Sequence, residues 1–123
     1  MRDTLAYLAA VLTGLWGIAH AIPTSQVVAG FEPTSRDNRR VITQEWIAEA
    51  LTMWGLAALV IVTTATTSAG TAADWVYRIV AVLLIAIGML TTFTGARTPV
   101  VWFKICPVIL GTSAGLLIAA SFS

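Results

Sequence analysis

Four apolar runs dominate this chain, at roughly 4–23, 42–66, 75–96 and 99–121. Each is close to the ~20 residues that a helix needs to cross a bilayer. In lipid, a lone run of that length satisfies its backbone by coiling into a helix. The sequence therefore predicts an all-α fold, a single four-helix transmembrane bundle over residues 1–123. Composition agrees. Hydrophobic residues make up 58% of the chain and charged residues 11%, against about 25% charged in soluble domains. A bundle of this size cannot hide so much apolar surface inside itself, so the lipid bilayer is the first expected partner.

Charge and cysteine usage remove whole classes of function. The net charge is +1, which gives no basic signal for nucleic acid. The single cysteine, Cys106, excludes an internal disulfide and a multi-cysteine metal site.

The connections differ in length. GARTP separates the last two runs, and Gly95 and Pro99 suit a tight reversal. A polar turn, TTSAGTAAD, separates the middle two. The first connection, TSQVVAGFEPTSRDNRR, is longer than the ~2–8 residues usual in bundles, and suits a re-entrant stretch, an interfacial helix or a lid.

Basic residues set an expected orientation. Arg36, Arg39, Arg40, Arg97 and Lys104 fall on one side of four spans, and Arg2 and Arg78 on the other. The positive-inside rule then places both termini outside the cytoplasm in a multi-pass cell-membrane protein. An alternative reading takes Arg2, the apolar stretch and Ala19-His20-Ala21 as a secretory signal with its cleavage site. Cleavage there would leave the arginine-rich segment outside, against the charge bias. Trp46, Trp75, Tyr77, Tyr7 and Trp102 sit near run ends, as an interfacial belt requires.

The polar residues gather at one end. His20 closes the first run, Glu45 and Glu49 open the second, Arg97 follows the third, and Lys104 opens the fourth. Glu45 and Glu49 are four apart and share a helix face. Glu45 suits headgroups and the positive end of a helix. Glu49 lies about 6 Å deeper by helix rise. An acid facing lipid there is costly, so it should face inward and meet Lys104, His20 or Arg97. A structural ion pair is the plain reading of that meeting. A ligand-binding or proton-handling acid is the functional one. A metal held by His20, Glu45 and Glu49 would lack any HExxH or E-x-x-H signature, so no metal is expected. The sequence names no cofactor.

GTSAG, residues 111–115, forms a small-xxx-small row with Ala119 in the fourth run, and Ala6, Ala10 and Gly14 form another in the first. Such rows permit close packing within the bundle or a homo-oligomer seam through Gly111 and Gly115. Pro107 is expected to bend the fourth helix. The chain lacks the helix-1 acid on which small multidrug-resistance transporters depend. RRVITQEWIAE resembles in outline the arginine-rich connection and acid-bearing second helix of the membrane glutathione-handling family MAPEG, but lacks that family's Asn-x-x-Glu element.

Taken together, these features point to a small polytopic membrane protein that binds an amphipathic or lipophilic molecule. Its polar end would meet His20 and Glu49 as the proton-handling pair. Glu45, Lys104 and Arg97 would contact the ligand, and Trp16, Met53 and Trp54 would take its apolar part. Isomerisation or cyclisation by proton transfer would suit an acid beside a histidine. Two other readings are a non-catalytic subunit of a larger membrane complex and a proton-coupled transporter.

Overall fold

The computed structural model describes residues 1–31, 35–68 and 70–123. Parts of the first two connections, 32–34 and 69, lie outside the described residues. Five helices run in order: α1 (Arg2–Ala21), α2 (Thr24–Ala29), α3 (Arg36–Thr66), α4 (Thr71–Phe93) and α5 (Val101–Ala120), with a 3₁₀ turn at Gly95–Arg97 before α5. No strand occurs among the described residues. The fold is an all-α four-helix bundle. α1, α3, α4 and α5 are long and apolar enough to cross a membrane.

The start of α3 follows its cap rather than hydropathy. α3 starts at Arg36, several residues before its apolar run, because the Ser35 hydroxyl accepts from the Asn38 N–H at 3.1 Å. Asp37 in the first turn complements the helix dipole. At 31 residues, α3 is about 46 Å long by helix rise, more than a bilayer core needs. Its first turns are exposed, so they extend past the other helices. α1 ends at Ala21, and Pro23 caps α2. α5 starts at Val101, after the extended residues Thr98 and Val100, and runs unbroken through Pro107.

The helices form a ring in the order α1, α3, α4, α5. α1 packs closely on α3 and α5, and α4 packs closely on α5, while α3 and α4 touch lightly. The inward faces recur every three or four residues: Ala6, Ala9, Ala10, Thr13 and Gly17 on α1; Tyr77, Val80, Ala81, Leu84 and Gly88 on α4. The outward faces are also apolar. Leu15, Val62, Val82 and Val108 are each more than half exposed. A water-facing protein rarely shows apolar surface this extensive, whereas lipid matches it.

Small residues set the close approaches. A Cβ on Gly17 would stand 2.7 Å from Trp54 Nε1 and 3.1 Å from Met53 Cβ, so α1 can meet α3 at this distance only with glycine there. Gly88 lets α4 approach the Pro107 backbone of α5. Gly111 and Gly115 behave differently. A Cβ on either meets nothing within 4 Å, so they face outward, while Ser113 and Ala114 of the same motif are buried.

The end of the bundle holding the two termini carries an ion pair, hydrogen bonds and guanidinium–ring contacts. Arg2 Nη2 lies 3.0 Å from Asp74 Oδ1, and its guanidinium sits over the Tyr77 ring. The Tyr77 hydroxyl bonds the Thr64 hydroxyl at 2.8 Å. Arg78 donates to the Ser121 hydroxyl and carbonyl, both at 3.2 Å, between the rings of Trp75 and Phe122.

Candidate functional site

At the opposite end, α1 stops with unpaired carbonyls, as every helix does. Trp46 of α3 answers one of them, its indole N–H donating to the His20 carbonyl at 2.8 Å. Thr24 answers another, its hydroxyl donating to the Ala21 carbonyl. The first of these bonds lays the Trp46 ring on the imidazole of His20, with centroids 3.9 Å apart and planes 16° from parallel. Phe103 of α5 meets Trp46 edge-on at 5.7 Å. Glu49 follows Trp46 by three residues, so it shares that helix face. Its Oε2 lies 3.4 Å from His20 Nε2.

This pair is unequally buried. The His20 side chain is 7% exposed and that of Glu49 33%. The 3.4 Å approach lacks hydrogen-bond alignment, so His20 Nε2 is buried without a hydrogen-bond partner. Trp16 Nε1, one turn earlier on α1, is in the same condition. Buried polar atoms of this kind are uncommon and costly.

Trp46 divides the space at this end in two. On one side is an aromatic cleft with lobes of about 330 and 440 Å³ that share Pro23, Gln26, Trp46, Trp102 and Phe103. The first lobe reaches Trp16 and His20, and α2 forms one wall of the second. On the other side is an open groove of about 550 Å³ between α3 and α4, where Glu45 and Glu49 face Thr91 and Thr94.

The residues singled out from sequence fall into two groups. His20, Glu49, Glu45 and Trp16 come together around these cavities. Of the three partners considered for Glu49, His20 is the one within ion-pair distance. Arg97 lies exposed in the 3₁₀ turn with its guanidinium 5.9 Å from the Phe93 ring centre. Lys104 is exposed on α5, and neither cation lines these cavities. Trp54 is on the outer side of the α1–α3 crossing, where its N–H donates to the Gly14 carbonyl at 3.2 Å, and Met53 is fully buried. Among the described residues, no three His, Cys, Asp or Glu side chains gather as a metal site. Sequence reasoning passed over Phe103 and read Trp46 only as an interfacial anchor. Its spacing of three from Glu49 was the available signal.

No family model, no curated protein and no solved structure matches this chain.

Proposed function

We propose that this chain is a small multi-pass membrane protein that binds an amphipathic molecule at its arginine-bearing end. The polar group of that molecule would meet Glu49 and His20, and its apolar part would lie against Trp46 and Phe103. The observation that carries this reading is the His20–Trp46–Glu49 node, which puts a buried imidazole and a half-buried carboxyl at the junction of two cavities. The terminal end, by comparison, brings Arg2 Nη2 to 3.0 Å from Asp74 Oδ1, a closer approach than the 3.4 Å of His20 and Glu49. If the bound molecule carries an exchangeable proton, His20 and Glu49 are the groups to exchange it. Mass spectrometry of the protein purified in mild detergent tests the reading. A lipid-like species lost on Trp46→Ala supports it, and a ligand-free protein contradicts it.

The positive-inside rule orients the bundle with this end in the cytoplasm and both termini on the far side. A cysteine placed at Asn38 should resist an impermeant thiol reagent in intact cells. Ready labelling would reverse the orientation.

A second reading, a subunit of a larger membrane assembly, draws on Gly111 and Gly115, whose faces are open in the single chain. A stoichiometric protein partner in the same purification would favour it.

A further inference from the structure

We propose that the groove between α3 and α4 binds the protonated primary amine of a lipophilic ammonium compound. This inference rests on the amphiphile reading above and adds the chemistry of the head group. Among the side chains that line the groove, carboxyl and hydroxyl oxygens present acceptors, and the hydroxyl and indole donors are already in use. Trp46 brings its one N–H donor, and that N–H is committed to the His20 carbonyl. The hydroxyl protons of Thr52, Thr91 and Thr94 are committed as well, to the carbonyls of Ala48, Ile87 and Leu90 at 2.8, 3.0 and 2.7 Å. Each threonine oxygen therefore offers only lone pairs to the groove. Thr91 accepts one weak contact from the Cys106 thiol at 3.9 Å.

Two carboxyl groups, Glu45 and Glu49, join these oxygens in the same groove. Glu49 meets His20, and neither Lys104 nor Arg97 forms an ion pair with either carboxyl among the described residues. Glu49 has His20 on its inner side, a side chain more than nine-tenths buried whose Nε2 points at the groove's carboxyl without a hydrogen bond. The rest of the lining is apolar or aromatic, including Ile87, Leu90 and Phe103. Such a lining calls for a compact cation rich in donors, attached to an apolar body. A primary ammonium has three donors and no acceptor, and aromatic rings add favourable contact with its charge. A phosphate-bearing head group would bring oxygens for which the side chains lining the groove have no free hydroxyl or indole donor. The light contact between α3 and α4 leaves the side of the bundle open for a chain to enter.

Native mass spectrometry of delipidated protein with four twelve-carbon probes tests this: dodecylamine, dodecyltrimethylammonium, dodecanol and dodecanoate. Phosphatidylethanolamine serves as a fifth. Dodecylamine should be retained as a single molecule per chain, about tenfold more tightly than dodecanol, the size expected for hydrogen bonds to charged groups. The trimethylammonium probe, which has charge but no N–H, should bind more weakly than the amine. Glu49→Gln should weaken dodecylamine binding about tenfold. Glu45→Gln, at an exposed position, should weaken it about two- to fivefold with an unchanged melting temperature. The proposal falls if dodecylamine binds no better than dodecanol, if phosphatidylethanolamine binds as tightly as the amine, or if neither glutamate variant changes amine binding. Should dodecanol or dodecanoate bind while the amine does not, the amphiphile reading survives and the ammonium inference is overturned. If no probe binds, both are overturned.

Discussion

The two ends of the bundle use similar residue types to opposite effect. At the terminal end, Arg2 meets Asp74 at 3.0 Å, and Arg78 donates twice to Ser121 between two rings. Arg2 there meets the Asp74 charge and Arg78 meets hydrogen-bond acceptors, although Arg2 Nε and Nη2 are buried without a hydrogen-bond partner. At the arginine-bearing end, His20 and Glu49 approach at a poorly aligned 3.4 Å, and the stacked Trp46 separates two cavities. Two cations of that end, Arg97 and Lys104, are exposed on the outside. The terminal end sets Arg2 and Arg78 against an acid and a hydroxyl. An end that leaves acceptors facing a groove has room for a ligand to supply the donors.

This contrast can be broken at either end, and the terminal end should give the largest stability effect. Arg2→Gln removes one partner of a largely buried pair and leaves Asp74 uncompensated. The cost should be up to about 3 kcal/mol, at or below the range for fully buried pairs because the Asp74 side chain is 27% exposed. Thermal melting in detergent reads it, and a change of under one degree would show that the pair does not hold this end together.

Trp46→Phe keeps a ring against His20 but deletes the N–H that satisfies the last turn of α1. About 1–2 kcal/mol should be lost, as for an unpaired buried carbonyl. Any bound amphiphile should be lost with it, since both cavities share this side chain. Full retention of stability and ligand would remove Trp46 from the site.

Gly111→Leu and Gly115→Leu place new side chains in open space. The unfolding free energy of a monomer should change by less than about 0.5 kcal/mol, the range of ordinary surface changes. A larger drop, with a shift in mass on size-exclusion chromatography coupled to light scattering, would mean that a second protein chain covers this face. Lys104→Gln should have the smallest effect of all. An exposed cation with no ion pair among the described residues contributes little, and neither melting nor ligand retention should move.

The bundle was legible in the sequence because hydropathy over twenty residues reports the solvent a helix needs, whatever its neighbours. Helix ends were less so. Ser35 and Asp37 are polar and fall outside any apolar run, yet they start α3. An acid one turn below the membrane boundary must find company, and that requirement drew attention to Glu49. Choosing among His20, Lys104 and Arg97 required the helix order. α1 lies against α3, and Lys104 of α5 faces out. The GTSAG row showed which residues are small but not where they point, because a face is defined only once its neighbours are placed. The place of Trp46 and Phe103 beside His20 is set in the same way. The bond from Trp46 to His20 spans 26 residues of sequence, and no local pattern encodes it.

The central claim is that one end of the bundle is built for stability and the other for a ligand. Glu49→Gln, measured beside Arg2→Gln for melting temperature and for amphiphile retained per folded molecule, tests it most directly. Glu49→Gln should lower stability by no more than about 1 kcal/mol, since its partner is poorly aligned and it is one-third exposed. It should nevertheless lose the bound molecule. Arg2→Gln should show the reverse, a lower melting temperature with the molecule still held by the folded fraction. If Glu49→Gln instead destabilises the protein as much as Arg2→Gln, and neither variant changes what is bound, then His20 and Glu49 form a structural pair and the two ends do the same job.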